Sequence, residues 1–194
     1  MTGHQIYLLL HVLGAIFWVG TGVGMAVLAG RVAAAGVPER MLEFARDSEW
    51  LGLRVFLPSN LLVLASGVLL VHEDAWGYDP LWIRLGVADF ALSFVTGAAV
   101  FGPQWPRLVE LAETEGIAAP QARQRLRRLL FASYVDLGVL LAVVTAMTLK
   151  PGPSDRAALA LVAALPVAGA VAGLLVARLA TGRIRAPAAA VGVS

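Results

Sequence analysis

The sequence has no cysteine, so disulfides, thiolate metal sites, iron–sulfur clusters and cysteine nucleophiles are all excluded. Charge is scarce: only 14% of the 194 residues are Asp, Glu, Lys or Arg, where a soluble domain carries about a quarter. There are three histidines and four methionines, which rules out a methionine-rich copper(I) stretch. The common enzyme motifs are missing as well. There is no Walker loop, no His-Glu-x-x-His, no Gly-x-Ser-x-Gly and no dinucleotide fingerprint, so catalysis by the protein alone is not expected.

What the chain has is apolar surface. Hydrophobic residues make up 59% of it and the mean hydropathy is +0.78. Five stretches are long enough to cross a hydrocarbon core of about 30 Å. They run over Gln5 to Ala29, Val55 to Val71, Trp82 to Gly102, Leu129 to Leu149, and Ala157 to Ala180. The expected fold is all-α, a polytopic transmembrane bundle of five spans in contact with the lipid bilayer. The first span lacks the basic n-region and cleavage site of a secretory signal, and it reads as a retained helix. The expected location is the cell membrane, crossed several times, in a bacterial plasma membrane.

The arginines give the orientation, because cytoplasmic loops carry the excess of positive charge. Arg31, Arg40, Arg46 and Arg54 lie in the first connection; Arg107, Arg123, Arg125, Arg127 and Arg128 in the third; Arg178, Arg183 and Arg185 in the tail. The other side has only Arg84, Lys150 and Arg156, beside Glu73, Asp74 and Asp79. This alternation fits five spans with the amino terminus outside and the carboxyl terminus inside. Short arginine clusters between apolar runs do not form the single basic face of a nucleic-acid binder, and no nucleic-acid partner is expected, despite a pI near 9.5. Trp76, Tyr78 and Trp82 suit the outer aromatic belt, and Trp50 and Trp105 the inner one.

Between the first two spans, residues 31–54 form a cytoplasmic amphipathic loop. Met41, Phe44 and Leu51 are set there among charged residues, a pattern that fits a helix on the inner surface or one covering the bundle. Gly20 with Gly24, and Gly169 with Gly173, are small-xxx-small pairs that permit close helix contact, either within the chain or, through the fifth helix, with a second copy or a membrane partner. Pro166 is expected to kink the fifth helix.

Ionisable groups are costly in hydrocarbon and are therefore candidate functional residues. His11, Gly14, Trp18, Thr21 and Met25 share one face of the first helix. Asp89, Ser93 and Thr96 form the strongest polar stripe, on the third. Asp136 and Ser133 on the fourth helix, with Ser59 and Asn60 on the second, form a second polar layer toward the inner side. Topology puts His11, His72 and Asp89 in the outer half, where a cofactor or ion site is expected first. Asp89 is expected to pair with a hydroxyl or with His11, and Asp136 with an arginine from the third connection.

The run Leu10-His11-Val12-Leu13-Gly14-Ala15-Ile16-Phe17-Trp18-Val19-Gly20, together with Ala146-Met147-Thr148-Leu149-Lys150-Pro151, resembles the predicted integral membrane family called domain of unknown function 2269. That family belongs to a wider group with copper-resistance protein D and the HemJ-type protoporphyrinogen oxidases. The resemblance covers about residues 1–152 and implies a four-helix unit, with 153–182 an additional transmembrane helix and 183–194 a short flexible tail. It also implies a b-type haem or copper site in which His11 carries over. The first span has no lysine, unlike the haem-oxidase members, which argues against porphyrinogen oxidation.

Three functional readings stand side by side. The first is a haem held by His11 and His72 with Trp18 beside it, or copper at His4, His11 or His72, including a Thr2-Gly3-His4 square-planar site if Met1 is removed. The second is a structural or partner-binding membrane subunit without a cofactor. The third is a proton or cation pathway through His11, Asp89 and Asp136.

Overall fold

Lipid offers the backbone no hydrogen-bond partners, so each apolar stretch must satisfy its own N–H and C=O groups. In a computed structural model, which describes residues 2–183, all five do so as helices. They are α1 (Gly3–Ala35), α2 (Pro38–Glu73), α3 (Leu81–Glu115), α4 (Pro120–Leu149) and α5 (Arg156–Arg183). Met1, Arg185 and the remainder of the expected tail lie outside the described residues.

The helices are longer than the apolar runs that nucleate them. At about 1.5 Å per residue they reach roughly 40 to 55 Å, against about 30 Å of hydrocarbon. The excess lies at the arginine-rich end. Residues 38–51, expected as a separate loop helix, run directly into the second span, and the third span runs on to Glu115. Termini form where the local chemistry demands them. Gly36 ends α1 in the left-handed region (φ 66°), with its N–H on the Val32 carbonyl. Pro120 opens α4 at its first turn, and the Asp155 carboxylate accepts the Ala158 N–H at 3.2 Å to open α5.

α2 and α3 each contain one wide turn. Leu57 N–H bonds to the Gly52 carbonyl and Gly102 N–H to the Gly97 carbonyl, five residues back instead of four. Pro58 and Pro103 follow directly. A proline cannot donate to the carbonyl four residues before it, and the wider turn makes room for its ring.

At the arginine-rich end all five helices share a core that includes Val32, Met41, Phe44, Leu108, Leu126, Leu130 and Ala177. Trp105, expected at the interface, is buried here with its ring edge-on to Phe44 at 5.9 Å. The rim carries Arg46 on Glu113 at 2.6 Å, Arg125 on Gln104, and Arg183 on the Ala34 carbonyl. At the other end the Lys150 ammonium stands 4.9 Å from the ring centres of both Trp76 and Trp82.

Within the spans, α4 and α5 form the most extensive contact. A Cβ at Gly138 would lie 2.5 Å from the Leu165 carbonyl, one at Gly173 would lie 2.9 Å from that of Phe131, and one at Gly169 would overlap that of Tyr134. Gly169 and Gly173 thus serve packing inside the chain, against α4, and that surface is not free for a second copy. α5 runs unbroken through Pro166. α1 packs along the second half of α2, and the first half of α3 packs on α4. Residues 57–73 of α2 and 81–96 of α3 make at most marginal contact with each other, so the ring of helices is open between them.

Candidate functional site

His11 is held by α2. Its Nδ1 lies 3.0 Å from the Val63 carbonyl and 3.2 Å from Ser66 Oγ. A carbonyl only accepts, so Nδ1 carries the proton; the Ser66 hydroxyl is itself committed to the Leu62 carbonyl at 2.5 Å. Gly67 leaves room for the ring, since a Cβ there would sit 3.1 Å from His11 Cε1, and Gly14 lets α1 close on Val63 in the same way. Trp18, 2% exposed, completes the stripe with its edge on Phe90 at 5.4 Å. The His-x-x-Gly-x-x-x-Trp pattern is thus the packing surface of α1 against its neighbours.

The residues expected to hold haem or copper are dispersed. His72 is exposed, and lies five residues beyond Gly67, about 7.5 Å further along α2. The His11 ring packs over Gly67, between its own helix and α2. His4 Nδ1 is 2.8 Å from Asp74 Oδ1, tying the start of α1 to the end of α2. Thr2 and Gln5 close a capping box that starts the helix at Gly3. A square-planar Thr2-Gly3-His4 set would need that turn unwound and the His4 ring withdrawn from Asp74. Among the described residues no three His, Asp or Glu side chains converge on one point.

The polar stripe of α3 divides. Asp89 meets neither His11 nor a hydroxyl, and its buried Oδ2 has no partner. Thr96 bonds back to the Leu92 carbonyl at 2.8 Å. Ser93, 4% exposed, lines the same cavity as Asp136. Among the described residues no arginine pairs with Asp136. His11, Asp89 and Asp136 do not form a chain of hydrogen bonds.

The second polar layer is where side chains converge. In the opening between α2 and α3 lies a cavity of about 380 Å³. Both wide turns form its sides through Gly52, Phe56, Gly97 and Phe101, and Trp18, Gly22, Leu137 and Leu140 form its back. Phe44 and Trp105 close it toward the arginine-rich end. Its wall is mainly apolar, interrupted by Asn60, Ser93, Asp136, Glu49 and the serines at 48 and 133. Asn60 is 9% exposed; its Nδ2 donates to the Phe56 carbonyl at 3.0 Å, while its buried Oδ1 has no donor.

Sequence reasoning found Asn60, Ser133 and Asp136 by depth but not the turns that open the cavity. A signal for them was present. Gly52-Leu53-Arg54-Val55-Phe56-Leu57-Pro58 and Gly97-Ala98-Ala99-Val100-Phe101-Gly102-Pro103 both read Gly-x-x-Val-Phe-x-Pro, and each spans one wide turn.

The model of the family described as predicted integral membrane protein, domain of unknown function 2269, matches residues 5–151, and the chain belongs to that family. The match ends in the turn before α5. Neither a curated protein nor a solved structure matches the chain.

Proposed function

We propose that this membrane protein is a binding protein whose cleft between α2 and α3 takes up, from within the bilayer, a small amphiphile with a hydrogen-bond donor in its head. The observation that carries this reading is the pair of acceptors in an otherwise apolar cavity. Asn60 Oδ1 has no donor, and the Asp136 carboxyl lines the same cavity. A buried acceptor without a donor costs about 1 to 3 kcal/mol, which a ligand's N–H or O–H would recover. A volume of about 380 Å³ suits a small molecule with one aromatic ring or a short chain. With the arginine-rich end on the cytoplasmic side, as the positive-inside rule directs, the cleft opens toward the inner leaflet of the plasma membrane.

The absence of native cysteine makes the test direct. Ser133→Cys places a thiol in the cavity wall, and Val171→Cys, at a position 54% exposed on α5, serves as a lipid-facing control. In membranes, apolar benzyl methanethiosulfonate should label both. Phenylbutanol and phenylbutylamine should protect the first thiol only, and phenylvalerate, which brings a carboxylate and no donor, should protect neither. If the cavity thiol is inert while the control reacts, or if phenylvalerate protects as well as the other two, the reading is overturned.

A further inference from the structure

We infer that the ligand of this cleft is an organic cation, a primary ammonium carried on an aromatic or short aliphatic body; the inference rests on the cleft being a binding site. Charge is the first argument. The two ionisable acids of the lining are Asp136 and Glu49, and among the described residues the lining holds no arginine, lysine or histidine. Of the arginines at the arginine-rich end, Arg46 is held on Glu113, Arg125 on Gln104 and Arg54 over the Trp50 ring. An anionic head would enter against two carboxylates, whereas a cation meets charge of the opposite sign in a medium where screening is weak.

The aromatic content is the second argument. Trp18, Phe56, Phe94, Phe101, Trp105 and Tyr134 all line the cavity, and the faces of such rings attract cations. They do the same for no anion, and they supply apolar surface for the body of the ligand. A bare metal ion fits poorly, because Mg²⁺ and Ca²⁺ require about six or more oxygens and the walls are mainly apolar.

The third argument selects the kind of cation. Asn60 Oδ1, on a side chain more than nine-tenths buried, is an acceptor without a donor. A quaternary ammonium has no N–H to give it. A primary ammonium has three, enough to serve Asn60 Oδ1 and the Asp136 carboxyl together.

The experiment uses the full chain purified in dodecyl maltoside, a detergent without charge. Binding of phenylbutylamine, phenylbutanol and phenylvalerate is measured by titration calorimetry and by the intrinsic tryptophan fluorescence, to which Trp18 and Trp105 in the cavity wall contribute. The three probes share one body and differ in the head. The expected result is phenylbutylamine binding about tenfold or more tighter than phenylbutanol, as charge-assisted bonds exceed neutral ones, with no binding of phenylvalerate. In Asp136→Asn the amine should fall to the affinity of the alcohol while the alcohol is unchanged. Should that variant fail to fold, the amine-to-alcohol ratio on the native chain decides by itself. Equal affinity for amine and alcohol overturns the cation inference and leaves the cleft reading standing. Binding of neither overturns the cleft reading itself.

Discussion

The two ends of the bundle are packed by different forces. At the arginine-rich end the helices rise beyond the hydrocarbon, and there Met41, Leu108, Ala122 and Leu126 are wholly buried among five helices, with charged residues on the rim. Within the spans many large apolar side chains point outward, as Val167 at 63% and Leu175 at 61% exposed show, while a smaller set that includes Trp18 and Leu140 is buried. Water drives the first arrangement, because each large apolar side chain removed from it gains about 1.5 to 3 kcal/mol. Lipid gives no such gain, so span contacts depend on backbone approach through glycine and on a few hydrogen bonds such as Tyr134 OH to the Ala26 carbonyl at 2.6 Å. A bundle held this way tolerates an opening between two of its spans.

This comparison can be broken most severely at the glycine contacts. Gly138→Leu should abolish recovery of folded protein in detergent, judged by size-exclusion chromatography, because a Cβ there already lies 2.5 Å from the Leu165 carbonyl. Gly20→Leu, at a position with nothing within 4 Å, should leave the yield unchanged. Next, Leu126→Ala in the watered core should cost about 2 to 5 kcal/mol in a denaturation titration, and Leu175→Ala on the lipid face less than about 0.5 kcal/mol.

Smaller effects sharpen the boundary between the two regions. Deleting Ala99 should convert the wide turn of α3 to an ordinary one while keeping the register on either side. The chain should still fold, and labelling of Ser133→Cys should fall because the cavity narrows. His11→Ala removes the bonds to the Val63 carbonyl and Ser66 and should lower stability by about 1 to 2 kcal/mol. An unchanged melting temperature would remove the packing role assigned to His11. The least effect belongs to Arg46→Ala, whose pair with Glu113 is half exposed and should contribute less than about 1 kcal/mol, vanishing in high salt.

Parts of this arrangement were legible in the sequence for reasons that can be stated. Apolar runs marked all five spans, since hydrocarbon thickness sets their minimum length. The continuation of α2 and α3 past those runs was hidden by charged residues such as Arg40 and Glu43, which read as loop although Met41, Phe44 and Ala45 keep a buried helical face. Depth put Ser59, Asn60, Ser133 and Asp136 in one layer, because axial rise is fixed by residue count, and of these all but Ser59 line the cavity. Depth failed for His11, His72 and Asp89. These share a region of the bundle, but His11 turns toward Val63, His72 toward the exterior, and Asp89 toward neither.

The chain by itself determined that it crosses a membrane with five helices and collects its arginines at one end, because hydropathy and charge are properties of position along one line. Only the tertiary structure decided which polar atoms meet. Successive helical residues turn by about 100°, so a single extra residue in a wide turn re-aims everything beyond it, and the order of helices sets what it is aimed at. It is the tertiary structure that closes Gly169 and Gly173 on α4, sets Ser93 and Asp136 in the wall of one cavity, and leaves Asn60 Oδ1 there without a donor.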